Sequence, residues 1–525
     1  MANRIKYPVG IQTFSEIISE GYIYVDKTAL IYDLAKTSKY VFLSRPRRFG
    51  KSLPMSTLEA YFKGKKNFFV GLKISELESE WKSYPVFRFD MSGGHLKTPE
   101  DLKLHVDSYL NFIEKGNGLK SNGSFAIKFR ELIIEAYLKT GKQVVILIDE
   151  YDKPILDNLH DQEKQEAMKE ALRGFYSVIK SCDEYIKFAM LTGITKFGKV
   201  SVFSGINNLR DISMLPKYNG ICGITESEFH EYFGDSISKF AEENAISPEE
   251  TWKIFKTMYD GYHFADAKEF VYNPFSVLNA FNDGRIGSYW YMSGSPSYLI
   301  KLIEKNSYRL NDIEGAERNE IQLSDIANFD DDIVPLLYQS GYLTIKGTLP
   351  SMEFDGASKE YVLGFPNREV NKAFWESLAK RFFRGIDGSS SFNLRKLVKD
   401  VNEGRIEDFM LSMKSLFADN NSEPEKNKEI HFQNMMAIAC KMLGLAVRTE
   451  VHSSFGRCDM QILTHDYVYI FEFKINGTAK EALAQIYEKG YAMPFESDPR
   501  TVFLIGANFL SQTGTLENWL INKFK

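Results

Sequence analysis

A basic turn between a short apolar strand and a helix constrains the fold more than any other feature of this chain. The run YVFLS begins at Tyr40, and the turn SRPRRFGKS follows from Ser44 to Ser52, leading into the helical stretch SLPMSTLEAYF. Backbone N–H groups at such a turn face an anion, and the helix N-terminus adds a positive field. The turn therefore predicts a phosphate site, in which Lys51 reaches the β- and γ-phosphates and the Ser52 hydroxyl binds Mg²⁺.

One position departs from the glycine-rich phosphate turn GxxxxGKS, because Arg45 stands where the first glycine is expected. A basic strand–helix turn that binds no nucleotide is the alternative. Pro54 falls in the first helical turn, where proline is tolerated, so we expect the helix to continue through it. We assign nucleotide binding at the turn to Arg47, Arg48, Phe49, Gly50, Lys51 and Ser52.

A second apolar run, VVILI, ends in the adjacent acids Asp149 and Glu150. Asp149 would hold Mg²⁺ through its water or through Ser52, and Glu150 would polarise the attacking water as the catalytic residue. A further run, FAMLTGI, delivers Thr192 to its carboxyl end, where it would position the water or sense the γ-phosphate. Solvated strand-end acids and a threonine that only caps a loop are the alternatives.

The roles of other polar residues near these strands have two interpretations each. Thr195 is a second strand-end threonine, and Asp152 would either assist Glu150 or cap the helix that follows it. Arg173 and Arg210 are candidates for an arginine that contacts the transferred phosphate, or are surface residues.

Apolar runs separated by helical segments predict a parallel sheet covered on both faces, with ligands at the carboxyl ends of the strands. We expect an α/β multidomain chain with four regions. The middle is helical and includes a hairpin, GYLTIKG and KEYVLGF, that suggests a winged-helix-like unit, and the polar stretch 384–393 is the best linker. The predicted regions are 1–215, 216–310, 311–385 and 386–525, and the last reads as a small α/β domain with a mixed sheet.

A carboxylate–lysine cluster marks the last region. Asp459 precedes Glu472 by thirteen positions, and Glu472 and Lys474 share one strand face because the side-chain period is two. A hairpin would bring Asp459 beside Glu472, where both carboxylates would bind Mg²⁺. Lys474 would orient or activate water for attack on a phosphodiester. An edge hairpin with a wet polar face is the alternative.

Composition narrows the class of protein. The net charge is −5 over 525 residues, so any surface for nucleic acid must be local. The residues from Arg384 onward include 17 Lys and Arg against 18 Asp and Glu, which is unfavourable for a DNA nuclease. The four widely spaced cysteines form no CxxC, the start lacks a signal-peptide apolar core, and no apolar run is long enough to span a bilayer. We expect a cytoplasmic protein without a membrane partner.

The quoted motifs, with YPVGIQTFSEIISEGYIYVDKT, LIDEYDKP, YDGYHF and VYNPFSVLNAF, resemble those of the bacterial AAA-ATPase-like family with the RPRRFGKS phosphate loop. Arg45 in place of the first glycine is part of that family's pattern. The segment EFKINGTAKEALAQIYEKGYA resembles the PD-(D/E)xK nuclease superfamily domain fused to such ATPases. The resemblance implies a P-loop NTPase core, ATP and Mg²⁺ as cofactors, and a C-terminal restriction-endonuclease-like domain.

For the nuclease-like region the resemblance implies Asp459, Glu472 and Lys474 as catalytic residues, with Gln485 in support. An upstream helix with Glu429 and Gln433 belongs to the pattern, and Glu450 competes with Glu429 for the upstream acid. The usual proline before the aspartate is absent.

These observations predict an ATP-binding ATPase coupled to a Mg²⁺-dependent nuclease that acts on nucleic acid. DNA is the first candidate substrate. A homo-oligomer is a candidate for the assembly state. The first alternative is a nucleotide-dependent switch or scaffold whose nuclease-like domain is inactive. The second is an interaction protein with neither activity.

Overall fold

The computed structural model describes most of the chain. Its described residues are 5–94, 96–121, 123, 125–158, 161–196, 208–292, 299–300, 302–303, 308–324, 332–350, 359–382, 394–418, 428–442, 445–453 and 456–525. Two compact units comprise Met1–Ser293 with Glu317–Glu369, and Gly294–Ala316 with Val370–Lys525. The division into four regions stays a prediction, and the proposed linker at 384–393 lies outside the described residues.

The first unit is built on a five-stranded parallel sheet of order β2-β3-β4-β1-β5. Every residue of β1 and β3 is buried, as expected for strands covered on both faces. The predicted α/β class is confirmed. The strands are β1 (Tyr40–Ser44), β2 (Val86–Asp90), β3 (Val144–Asp149), β4 (Ile186–Gly193) and β5 (Arg210–Asp211).

Helices accompany this sheet, and α3 continues through Pro54 as predicted. They are α1 (Phe14–Ser19), α2 (Thr28–Thr37), α3 (Ser52–Phe62), α4 (Ile74–Leu77), α5 (Pro99–Asn117), α6 (Phe125–Thr140), α7 (Lys153–Leu156) and α8 (Gln162–Ser181). Short 3₁₀ helices occur at Lys66–Phe69, Asp183–Tyr185 and Pro216–Ile221.

The helical middle region follows. Side-chain oxygens of Thr225, Ser247 and Asn273 accept a backbone N–H in the first turn of three successive helices, which explains where these helices begin. An aromatic core that includes Phe229, Phe255 and Phe281 joins them. The elements are β6 (Ile224–Thr225), α9 (Glu226–Glu243), α10 (Pro248–Tyr259), β7 (Val271–Tyr272), α11 (Pro274–Asp283) and α12 (Tyr289–Met292).

The predicted hairpin pairs in an antiparallel sheet of order β8-β10-β9. Its elements are β8 (Glu317–Asn319), α13 (Glu320–Ser324), α14 (Val334–Ser340), β9 (Thr344–Pro350) and β10 (Lys359–Gly364). The helix α15 (Arg368–Phe382) comes next.

The second unit holds a five-stranded mixed sheet of order β11-β12-β13-β14-β15, in which only the β13–β14 pair is parallel. Its elements are a 3₁₀ helix (Leu310–Asp312), α16 (Leu394–Asn402), α17 (Ile406–Ala418), α18 (Lys428–Met442), β11 (Ala446–Ser453), β12 (Gly456–Leu463), β13 (Tyr467–Ile475), α19 (Ala479–Glu488), a 3₁₀ helix (Met493–Phe495), β14 (Thr501–Leu510) and β15 (Thr515–Lys523).

Two details of this unit depend on its tertiary packing or lack a clear sequence pattern. The helical stretch after residue 393 is broken into α16 and α17, because Gly404 turns with φ 77° against the Tyr467 ring, where a Cβ would come within 2.7 Å. The strand β15 was not predicted, since TLENWLINK has no clear apolar alternation. Among the described residues, no helix is long and apolar enough to cross a membrane.

Candidate nucleotide and nuclease sites

The turn between β1 and α3 presents a row of backbone donors. Arg48 and Gly50 adopt left-handed φ values of 64° and 76°, which curl the chain around the space in front of the helix. Within the described part of the chain, the backbone N–H groups from Arg47 to Lys51 donate no hydrogen bond. A concave run of unpaired N–H groups is an anion-binding arrangement.

Lys51 lies inside this turn rather than in solvent. Its side chain is buried and its Nζ donates a 3.1 Å hydrogen bond to the carbonyl oxygen of Pro46. Its charge also lowers the pKa of the Glu150 carboxyl, in opposition to burial. The lysine amine therefore contacts the loop backbone, and its charge reaches the Glu150 carboxyl after β3.

Asp149 and Thr192 meet at the carboxyl ends of neighbouring strands. Thr192 Oγ1 donates a 2.5 Å hydrogen bond to Asp149 Oδ1, and both side chains are buried. Thr192 is also in register with Leu43 of β1, so β4 lies between the turn and Asp149. The parallel sheet thus brings three separate segments of the chain to one edge.

Glu150 follows Asp149 in a left-handed conformation, with φ 51°. Partial burial raises the pKa of its carboxyl, and the neighbouring carboxylates of Asp149, Asp152 and Asp90 raise it further. A carboxylate with a raised pKa is a better proton acceptor, which suits a group that polarises water.

Asp152 and Thr195 hold the chain after β4. Asp152 Oδ2 accepts hydrogen bonds from the backbone N–H groups of Ile194 and Thr195 and from the Thr195 hydroxyl, at 2.5 to 3.0 Å. The prediction that Asp152 caps the next helix is wrong, because no side-chain cap is present at α7. Asp152 instead stabilises the loop that follows β4, next to Thr192.

Arg45, at the position of the missing glycine, is an anchor that sequence reasoning did not identify. Its buried guanidinium donates to the carbonyl oxygens of Ser44, Ser213 and Tyr218 at 2.7 to 3.0 Å, and lies 4.4 Å from the Phe264 ring centroid. Burial lowers the pKa of this guanidinium. Its distant partners are about 170 residues away, so no local pattern could have revealed this role.

The two candidate arginine fingers have contacts elsewhere. Arg173 pairs with Glu170 on the same helix. Arg210 donates to Ser38 Oγ at 2.8 Å and lies over the Tyr218 ring. Neither of these contacts is with the turn between β1 and α3.

An apolar cavity of about 90 Å³ adjoins the turn at Phe49 and Gly50. Pro54, in the first turn of α3, lines this cavity. Other lining residues are Val25, Lys27, Leu53, Ile224, Phe233 and Leu278.

In the second unit, the β12–β13 ladder brings Asp459 and Glu472 together. The strands are antiparallel and Met460 pairs with Phe471, so Asp459, one residue before Met460, stands opposite Glu472, one residue after Phe471. The Phe473 backbone N–H donates to Asp459 Oδ2 at 2.7 Å, which holds this carboxylate against the β13 backbone. The predicted proximity of the two acids is present.

Glu472 is only 3% exposed, and its Oε2 has no hydrogen-bond partner among the described residues. Burial, followed by the charge of Asp459, raises the pKa of the Glu472 carboxyl to about 8. Two buried carboxylates with an unpaired oxygen fit a hard divalent cation, which prefers oxygen ligands. These residues could hold Mg²⁺.

Lys474 and Gln485 complete this cluster. Lys474 Nζ lies 3.6 Å from Glu472 Oε1 and donates a 2.6 Å hydrogen bond to Gln485 Oε1 on α19. The helix approaches the sheet closely at Gly506, where a Cβ would lie 2.4 Å from the Ala479 oxygen. The missing side chain at Gly506 therefore allows Gln485 to reach Lys474.

The structure does not distinguish between the two candidates for the upstream acid of the nuclease-like pattern. Glu429 and Gln433 belong to α18 and Glu450 to β11, but their side chains lie outside the described part of the structure. In the described residues, no group of three or more His, Cys, Asp and Glu side chains is arranged to hold a metal.

Comparison with known proteins covers the two regions of the chain that contain these sites. Residues 8–203 match a family model described as predicted AAA-ATPase, and residues 427–519 match one described as PD-(D/E)XK nuclease superfamily. Over 527 aligned positions, 99% of each chain, the sequence is 33% identical to an uncharacterized protein in the vnfD 5′ region of Azotobacter chroococcum mcd 1.

Proposed function

Because the chain belongs to the predicted AAA-ATPase family with a C-terminal PD-(D/E)XK nuclease superfamily domain, we propose that it binds and hydrolyses ATP and cleaves nucleic acid phosphodiester bonds with Mg²⁺. DNA is the first candidate substrate. The observation that carries the nuclease proposal is the buried Glu472 carboxylate with an unpaired oxygen beside Asp459.

Each residue of the first site has a separate role in the binding and hydrolysis of ATP. The N–H groups from Arg47 to Lys51 bind phosphate oxygens, and Lys51 exchanges its contact with the Pro46 carbonyl for the β- and γ-phosphates. Ser52 and Asp149 hold Mg²⁺, which would neutralise phosphate charge when bound. Glu150 orients water, and Thr192 fixes the Asp149 carboxylate.

The residues of the second site also have separate roles, in cation binding and in the orientation of water. Asp459 and Glu472 hold the cation, which would stabilise charge on the scissile phosphate when bound. Lys474 orients the attacking water, and Gln485 fixes the position of the lysine amine. The coupling of the two activities, with ATP gating the nuclease, is part of the same proposal.

Cleavage of plasmid, linear duplex, single-stranded DNA and RNA in Mg²⁺ tests the nuclease. We expect the wild type to cleave at least one substrate, and Asp459→Ala and Lys474→Ala to lose at least a hundredfold in rate. Lys480→Ala, an exposed lysine on α19, is the matched control. Cleavage retained in both site variants would remove the second site from the proposal.

Calorimetry with ATP and Mg²⁺ tests the first site separately. We expect Lys51→Ala to lose ATP binding, whereas Lys63→Ala, at an exposed lysine that directly follows α3, retains it. Equal affinity in Lys51→Ala and wild type would contradict the assignment.

A second candidate is a nucleotide-dependent switch or scaffold with an inactive nuclease-like domain. Two observations favour it: the described residues contain no three-ligand metal group, and the last region has no excess of basic residues. ATP binding that depends on Lys51, without cleavage of any of the four substrates, would support it. For either function we propose a cytoplasmic location, since all four cysteines are buried free thiols.

A further inference from the structure

The indole of Trp290 contacts the backbone of the phosphate-binding turn. Its Nε1 donates a 2.9 Å hydrogen bond to the carbonyl oxygen of Arg47, although 243 positions separate the two residues. The indole is buried and packs edge-on to Tyr342, with ring centroids 5.2 Å apart. A side chain from the helical middle region thus touches the turn where its donors are unpaired.

A buried carboxylate holds Trp290 in place. The Trp290 backbone N–H donates to Glu369 Oε1 at 2.8 Å and approaches Ser276 Oγ at 3.2 Å. The Ser276 hydroxyl donates to Glu369 Oε2 at 2.8 Å. Three segments therefore meet at Trp290: α11 through Ser276, α12 through its own backbone, and the start of α15 through Glu369.

Packing leaves the indole little freedom. Gly341 lies against both Trp290 and the turn, and a Cβ there would lie 2.6 Å from Pro46 and 3.4 Å from the indole. The indole and the turn are thus parts of one packed contact.

The contact sets the orientation of one peptide group. In a trans peptide the C=O and the following N–H point in opposite directions. Because the Arg47 carbonyl points at the indole, the Arg48 N–H points away from it, on the side opposite Trp290. That N–H is one of the unpaired donors of the turn.

We propose that Trp290 is a positioning residue for the phosphate site: its indole N–H holds the Arg47–Arg48 peptide in the orientation that binds the ATP phosphates. The proposal rests on ATP binding at this turn. It also makes Trp290 a fluorescent reporter, since phosphate on the Arg48 N–H would perturb the peptide bonded to the indole.

ATP titration of the full chain in Mg²⁺, by calorimetry and by tryptophan fluorescence, tests this. Trp290→Phe keeps an aromatic ring but removes the donor, and we expect ATP affinity to fall about three- to tenfold, the cost of one hydrogen bond. Trp252→Phe is the control, because Trp252, in α10, packs on Phe229 and His230 of α9. We expect the ATP-dependent fluorescence change to vanish in Trp290→Phe and to persist in Trp252→Phe.

Replacement of Trp290 by 3-benzothienylalanine keeps the shape of the indole and lacks the N–H, so it tests the donor if the phenylalanine variant does not fold. Equal ATP affinity in this variant and wild type, or a fluorescence change that survives without Trp290, would overturn the inference. Absence of ATP binding to the wild type would instead overturn the proposed function, and the inference with it.

Discussion

The Thr192 hydroxyl donates a 2.5 Å hydrogen bond to a carboxylate oxygen of Asp149, and both side chains are buried where β3 and β4 end. The bond fixes the direction of the carboxylate that we assign to Mg²⁺. Loss of a group that orients a metal ligand typically lowers metal affinity or activity by roughly 10- to 100-fold.

Thr192→Val, which preserves shape and removes the hydroxyl, is expected to lower ATPase activity about tenfold or more and to raise the Mg²⁺ concentration for half-maximal rate. The measurement is the steady-state rate against Mg²⁺ at saturating ATP. Thr37→Val, at the exposed end of α2, is the control. An unchanged Mg²⁺ dependence in Thr192→Val would show that the bond is only structural.

Glu472→Gln should abolish cleavage and stabilise the metal-free protein. Above the raised pKa of about 8, the variant removes a charge whose second oxygen is buried without a partner, and burial of an unpaired charge is unfavourable. Thermal unfolding in EDTA at about pH 9 should therefore give a higher Tm for Glu472→Gln than for wild type. Mg²⁺ should raise the wild-type Tm and leave that of the variant unchanged. A lower Tm of the variant in EDTA would count against the cation site.

The stability of the first unit should depend on pH through Glu369. Burial raises the pKa of this carboxyl to about 7, against a usual value of 4.5, so its ionisation is costly in the folded protein. The free energy of unfolding should therefore decrease as pH rises from about 4.5 to 7, by about 3 kcal/mol for this group.

Urea unfolding of wild type and Glu369→Gln between pH 4.5 and 8 measures this effect. The difference in the free energy of unfolding between the two proteins isolates the contribution of Glu369. We expect Glu369→Gln to become more stable relative to wild type as pH rises. Parallel curves over that range would refute the prediction.

Gly506→Ala should separate α19 from the sheet. The new Cβ would lie 2.4 Å from the Ala479 oxygen and the Leu483 nitrogen, so the helix must move and Gln485 must leave Lys474. We expect a loss of about 1–3 kcal/mol in the free energy of unfolding, as for other overpacked positions, together with reduced cleavage.

The control for this substitution is Gly347→Ala, at an exposed strand position with open space around it. Comparable stability of the two variants in urea unfolding would mean that the close approach of α19 to Gly506 is unimportant.

Local patterns were sufficient for most of the fold. The run that ends at Ser44, the run that ends at Asp149 and the glycine–lysine–serine turn are contiguous in the chain, and their apolar or turn-forming character is visible in a few residues. The Asp459–Glu472 relationship was predictable too, because a hairpin and a period of two decide which residues face each other.

Other features depend on residues far apart in the chain. The break at Gly404 reflects the Tyr467 ring, and the buried Arg45 depends on carbonyl groups of Ser213 and Tyr218. No periodicity or spacing near Arg45 distinguishes an anchor from a phosphate ligand. The same is true of Trp290, whose contact with Arg47 spans 243 positions.

By itself, the order of residues determined which segments become buried strands and where the turn with Gly50, Lys51 and Ser52 lies, because hydrophobic periodicity and turn propensity act over a few residues. Only the tertiary structure decided that Asp152 accepts hydrogen bonds from the loop after β4. The same is true of the hydrogen bonds from Arg45 to the Ser213 carbonyl and from Trp290 to the Arg47 carbonyl. A hydrogen bond needs its partners about 3 Å apart in space, and folding sets that distance independently of their separation in the chain.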